Sequence, residues 1–244
     1  MLPRILELRT KILKKNDELA REMRAEFARC GVFVANFVSG PGAGKTALLT
    51  QTLKLLRASH RPAAVVGDLA TENDAQRLAT SGAPVKQILT GTMCHLEADM
   101  VRGAIGEWEL ADHDFLFIEN VGNLVCPSSW DLGEDLRVLL FAVTEGEDKP
   151  LKYPTLINSA DVVLISKIDL AAAVEFNLQA ALDNIQLVRP GVEVRLVSAK
   201  TGQGVAEWVE YLKRRLQEKR SALTASQVRT GEVTEADAPT IAGG

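Results

Sequence analysis

The chain has 244 residues, with 28 Lys and Arg against 32 Asp and Glu and a formal charge of −4. It therefore lacks the strong positive field that would argue for nucleic acid or an anionic membrane as partner, and a small molecule or a protein fits better. The length suits one large α/β domain, or two small ones, with a core that needs no disulfide or metal staple, and one domain is the simpler reading. Three cysteines (Cys30, Cys94 and Cys126), a charge-studded N-terminus unlike a signal peptide, and no apolar run near the roughly 20 residues that span a bilayer point to a reducing cytoplasm.

Residues 5–29 place Leu, Ile, Met and Phe at helical spacing among charges, which predicts an amphipathic helix stopped by Cys30-Gly31. A β-branched run over 32–38 reads as a strand, the glycine-rich segment follows it, and a helix opens at Ala47 and reaches about His60. Strands are then predicted over 62–67, 85–89, 115–119, 137–143, 162–165 and 192–197, and helices over 72–81, 96–110, 171–188 and 205–219. Apolar strands alternating with helices predict an α/β fold of the P-loop NTPase type, a mostly parallel sheet with helices on both faces, preceded by an N-terminal helix. The domain reading is an N-terminal helix over 1–30 packed on the main domain, a nucleotide-binding domain over 31–220, and a flexible tail over 221–244, where Ser, Thr, Ala, Gly and acids lose periodicity.

The segment Ser39-Gly40-Pro41-Gly42-Ala43-Gly44-Lys45-Thr46 has the phosphate-loop pattern except at its first position, where Ser39 stands for glycine. Gly40, Gly42, Ala43, Gly44 and Ala47 offer backbone N–H groups and a helix N-terminus to the phosphates, Lys45 reaches the β and γ oxygens, and Thr46 places its hydroxyl on magnesium. Two acids at strand ends, Asp68 and Glu119, complete the magnesium environment, one of them through water. Asp68 has a second reading, as a cap for a helix beginning at Thr71 or Glu72. Gly122 follows Glu119 closely enough to sense the γ-phosphate. No general base stands out, and Asp68 is the best placed to orient an attacking water.

Ser166-Lys167-Ile168-Asp169 and Ser198-Ala199-Lys200 end the next two strands. An Asp carboxylate accepts both N–H donors of guanine's Watson–Crick edge, while an amide in the second loop donates to O6; adenine has the wrong donors. Ser166 replaces the Asn of the usual Asn-Lys-x-Asp pattern, which removes an amide that braces the neighbouring loop.

Cys94-His95 lies between a strand and a helix, and Cys126 closes the loop after Glu119. Thiolate and imidazole suit zinc or nickel rather than magnesium. A buried cysteine with a capping histidine is the competing reading. Three ligands leave a tetrahedral site incomplete, to be filled by water or a second copy of the chain.

Together these blocks, with Lys15-Asn16-Asp17-Glu18, the run from Gly67 to Asp74, Ile118 to Pro127 and Glu145 to Pro154, resemble the HypB family of hydrogenase-maturation GTPases, within the signal-recognition-like class. The resemblance spans about residues 16–219. It implies GTP and GDP binding with Mg, GTP hydrolysis with Lys45, Asp68 and Glu119 in the catalytic site, nickel or zinc on Cys94, His95 and Cys126, and nucleotide-dependent homodimerisation. It also implies two partners, a second nickel chaperone protein and a hydrogenase large-subunit precursor, and a Lys149–Pro154 segment reaching a neighbouring protomer's nucleotide. The first 29 residues hold neither Cys nor His, so no N-terminal nickel motif is expected. Two rivals remain at this point: a P-loop kinase, and a nucleotide-switch module with a purely structural zinc site.

Overall fold

The computed structural model describes residues 4–68 and 73–236, with side chains defined from 10 to 225. Helix α1 (Arg4–Arg29) leads into β1 (Phe33–Ser39), followed by α2 (Lys45–Leu56), β2 (Pro62–Asp68), α3 (Asn73–Ala79), β3 (Val85–Leu89), α4 (Ala98–Ile105) and β4 (Phe115–Glu119). Next come β5 (Leu136–Ala142), α5 (Lys149–Lys152), α6 (Pro154–Ser159), β6 (Val162–Ser166), α7 (Leu178–Val188), β7 (Glu193–Leu196) and α8 (Val205–Ala236).

Among the described residues one sheet has seven strands in the order β3-β2-β4-β1-β5-β6-β7, with every pairing parallel. All carboxyl ends therefore share one edge. The order reverses around β1, which opens the crevice where such sheets bind ligands. β1 is buried along its whole length because both faces are covered. Period-two alternation sorts its neighbour β4: Phe115 and Phe117 meet α2 and α8 in one core, with Trp208 edge-on to Phe37, while Leu116 and Ile118 meet α1 and α4 on the other face. A third cluster packs α6 and α7 on Leu139, Phe141, Val163 and Ile165. α1 is part of the domain, with Ala20, Met23 and Phe27 buried. It lies so close to Gly133 (φ 78°) that a Cβ there would come within 2.9 Å of the Ala20 carbonyl oxygen.

Several boundaries differ from the sequence expectation. The final helix runs to Ala236 instead of ending near 219, so residues 221–236 are helical where a flexible tail was expected. A helix already nucleated adds residues at little cost, and this stretch contains no proline. α8 is fastened at Lys219, which pairs with Asp135 at 2.7 Å, and at Arg220, which pairs with Asp114 at 2.7 Å. α7 begins at Leu178, not 171, because the Asn177 side chain caps it by accepting from Ala180 N. α4 ends at Ile105 with Gly106 as its cap. The predicted start of α3 at Thr71 or Glu72 lies outside the described residues.

Candidate nucleotide and metal sites

β1 delivers the phosphate loop to the sheet edge. Gly42 (φ 74°) and Gly44 (φ 94°) adopt left-handed backbone open to glycine alone at low cost. They line a cavity of about 530 Å³ with Ala43, Lys45, Thr46 and Ala47, and with Asp68, Glu119, Gly122 and Lys167 from neighbouring strand ends. Gly40 does not line it. A Cβ at Gly40 would meet Glu145 Oε2 at 2.9 Å, so its small size admits Glu145 to the loop. Gly122 has a comparable duty: a Cβ there would stand 3.1 Å from Pro41 Cα.

Ser39, which in the sequence only breaks the glycine pattern, is fully buried, accepts from Lys45 Nζ at 2.9 Å and donates to the Gly40 carbonyl at 2.6 Å. Thr46 Oγ1 donates to Glu119 Oε1 at 2.7 Å, while Glu119 Oε2 is buried and takes no hydrogen bond among the described residues. Burial pushes the Glu119 carboxyl up to about 7, against the pull of Lys45 and the Thr46 hydroxyl, and burial lowers Lys45 despite the attraction of Glu119. A dry carboxylate with an orphaned oxygen beside a threonine hydroxyl and Asp68 fits a small hard cation, which would supply the missing positive charge. Asp74 and Arg77, which sequence reasoning gave no role, also line this cavity and pair at 3.2 Å.

A second cavity, of about 240 Å³, adjoins the first and is lined by Ala47, Leu48, Lys167, Asp169, Ser198, Ala199 and Lys200 among others. The Ser198 hydroxyl donates to Asp169 Oδ1 at 2.6 Å, fixing the carboxylate on the cavity wall. Lys167 has φ 57°, a left-handed conformation that costs an L-residue about 1–2 kcal/mol and marks a site held under constraint. The expected loss of a brace at Ser166 does not occur: its buried hydroxyl donates to the Ala43 carbonyl of the phosphate loop at 2.7 Å. A short side chain reaches the phosphate loop here because Ala43 lies directly over the end of β6.

The loops after β3 and β4 converge at Cys94, His95 and Cys126, whose ligand atoms all lie within 4.8 Å of one another. The two sulfurs are 2.7 Å apart and neither is in a disulfide. His95 stacks on Trp130 with ring centres 4.3 Å apart, and its Nε2 lies 3.4 Å from Glu97 Oε1. Asn123 accepts from Val125 N and Cys126 N, which turns the chain so that Cys126 faces Cys94. The donor set of two thiols and an imidazole matches a borderline-soft divalent metal with an open position. A cavity of about 580 Å³ bordered by His95, Cys126, Trp130 and Tyr153 opens beside the ligands. Lys149 and Lys152, by contrast, pair within their own segment, with Glu145 at 3.3 Å and Asp148 at 2.5 Å.

Residues 33–195 match the family model described as CobW/HypB/UreG, nucleotide-binding domain. The chain is 47% identical over 212 residues to the hydrogenase maturation factor HypB of Azotobacter chroococcum mcd 1, covering 86% of this chain and 69% of that protein. It belongs to the HypB family. The hydrogenase/urease maturation factor HypB of Helicobacter pylori (strain ATCC 700392 / 26695) is 42% identical over 206 residues, 83% of this chain and 84% of that one. The crystal structure of HypB from Helicobacter pylori in complex with nickel superposes with a TM-score of 0.79 at 41% identity, covering 84% of this chain and 96% of the other. Membership of the HypB family agrees with the nucleotide-binding fold and with a Cys-His-Cys group at the sheet edge whose donors could hold a metal. Among the described residues no helix is long and apolar enough to cross a membrane.

Proposed function

We propose that the protein is a GTP-hydrolysing nickel metallochaperone for maturation of a nickel-iron hydrogenase, in which nucleotide state and homodimerisation set the state of the Cys94, His95 and Cys126 site. The observation that carries this reading is the short segment from Glu119, hydrogen-bonded to Thr46 in the phosphate loop, to Cys126, 2.7 Å from Cys94. One loop end answers to the nucleotide and the other to the metal. Asp169 and the Ser198–Lys200 loop select guanine by the donor pattern of its edge. Lys45 and the loop N–H groups stabilise charge on the transferred phosphoryl group. Thr46, Asp68 and Glu119 would hold magnesium, which neutralises the β and γ oxygens when bound. Asp68 orients the attacking water, and Gly122 registers the γ-phosphate. Nickel is the cargo, and zinc competes for the same donors. The fourth position belongs to water, a second copy of the chain, or a group from a partner chaperone on the way to the hydrogenase large-subunit precursor. A cytoplasmic setting keeps both thiols reduced.

The test is nickel and zinc titration of the protein with GDP and with a non-hydrolysable GTP analogue, for wild type and Cys126→Ala. Affinities differing by about 5–150-fold between nucleotide states are expected in the wild type, with loss of tight binding in the variant. Equal affinity in both states overturns the coupling, because a ligand that binds two states equally shifts neither. Phosphate release from GTP without an acceptor excludes an obligate kinase.

A further inference from the structure

The residue after Glu119 is an asparagine that is 1% exposed, and its side chain reaches toward both halves of the metal site. Asn120 Oδ1 accepts from Val121 N at 3.0 Å and from Leu96 N at 3.1 Å, and Leu96 directly follows the ligand His95. Its Nδ2 donates to Asn36 Oδ1 at 3.4 Å, and Asn36 Nδ2 donates to Glu134 Oε1 at 3.1 Å. Glu134 accepts from Arg137 Nε at 2.8 Å. The same guanidinium donates to the Ser128 carbonyl at 3.1 Å and to the Trp130 carbonyl at 2.7 Å. Ser128 lies two residues beyond Cys126, and the Trp130 ring covers His95, so the chain of contacts closes on itself.

We propose that Asn120 is the positioning residue that carries nucleotide state to the metal ligands, gripping the His95 loop directly and the Cys126 loop through Asn36, Glu134 and Arg137. Glu119 bonds to the helix that begins at Lys45, and the adjoining Gly122 packs on Pro41, so any shift of this turn toward a phosphate takes Asn120 with it. Buried hydrogen bonds are costly to leave unmade, so Leu96 N and the Asn36 amide follow rather than detach. The chemistry calls for an amide: one end must accept from two backbone N–H groups while the other donates. Aspartate has no donor when ionised, and serine cannot span both partners.

The proposal rests on the nucleotide–metal coupling proposed above, and its test separates the two. Nickel is titrated into wild type, Asn120→Ala and Arg137→Lys, each with GDP and with the non-hydrolysable analogue, following thiolate-to-nickel absorption. The lysine variant keeps a charge for Glu134 and loses the contacts to the Ser128 and Trp130 carbonyls. Expected is a wild-type affinity ratio between nucleotide states of at least about 5, falling toward 1 in both variants, with the thiolate absorption and GDP affinity retained. A wild-type ratio of 1 overturns the coupling and this proposal together. A wild-type ratio retained in the variants overturns the role of Asn120 alone. So does a loss of nickel affinity equal in both nucleotide states, which is what a merely structural contact gives.

Discussion

Glu119→Gln tests the electrostatics of the phosphate site through two effects of opposite sign. The carboxyl sits at about 7 instead of the ordinary 4.5 because burial disfavours its charge. A raised value makes this group's contribution to folding fully present below about pH 4.5 and lost as pH rises to about 7. At roughly 1.4 kcal/mol per pH unit, ionisation at pH 8 costs the folded chain about 3 kcal/mol. That figure already contains the attraction of Lys45. Glutamine keeps the acceptor for Thr46 and carries no charge, so the nucleotide-free variant should be the more stable protein at pH 8. The gain has an upper bound of about 3 kcal/mol, or roughly 6–12 °C in Tm for a domain this size. At pH 5 the wild type is mostly protonated and the difference shrinks to about 1 kcal/mol. GTP turnover with magnesium should meanwhile fall by at least about 10²-fold, because a neutral amide is a poor partner for the cation. Thermal unfolding by circular dichroism at pH 5 and pH 8, with phosphate release measured in parallel, checks both. A Tm difference that is the same at the two pH values, or a variant less stable at pH 8, refutes the argument.

Two smaller changes address the braces. Ser166→Ala leaves the buried Ala43 carbonyl without its hydroxyl partner, and calorimetric GDP binding should weaken by roughly 10-fold, about 1.4 kcal/mol, with nickel affinity in the nucleotide-free protein unchanged; equal GDP affinity would show that the 2.7 Å contact braces nothing. Asn16 in α1 donates to the Asp131 carbonyl at 2.8 Å and accepts from Ala98 N at 2.9 Å, so Asn16→Ala should lower stability in urea by about 1–3 kcal/mol and weaken nickel binding while GDP affinity holds; unchanged nickel affinity would free the metal site from α1.

The sheet and the phosphate loop were legible because each rests on local signals: β-branched runs, glycines where φ is positive, and an acid at a strand end. Cys94, His95 and Cys126 were legible as residue types at strand ends, and the topology supplied their convergence. What stayed hidden is non-local. Asn36 meets Glu134 across 98 residues and Asn120 meets Leu96 across 24, and neither spacing has a period that a sequence displays. The Ser166 contact is hidden in the sequence because the pattern names the residue that is missing and not the distance left to span. α7 begins later than its sequence suggests, since the high helix propensity of Ala171-Ala172-Ala173 is overridden by the left-handed Glu175 (φ 54°) and the Asn177 cap. α6 is too short to show a helical period in the sequence, and its one signal is Pro154 in the first helical turn, a position where proline is pre-organised.

Strand order explains how the candidate nucleotide and metal sites come to share one loop. In the sequence β3-β2-β4, the strand bearing Asp68 lies between the two strands whose loops carry Cys94 and Cys126. For those loops to meet, one must pass over the end of β2, and the residue it passes over is Gly67, where a Cβ would stand 2.7 Å from Leu96. A side chain there would lift Leu96, and with it His95, away from the crevice. The glycine thus lets the metal loop lie against the strand whose next residue faces the phosphate cavity, while Asn120 holds the same Leu96 from the β4 side. Leu96 is held from both strands that end in the proposed magnesium carboxylates, Asp68 and Glu119, so in the proposed function a rearrangement of either one acts on the residue next to His95. The proposed coupling therefore requires no long-range transmission: the candidate nucleotide and metal sites are separated by the width of one strand.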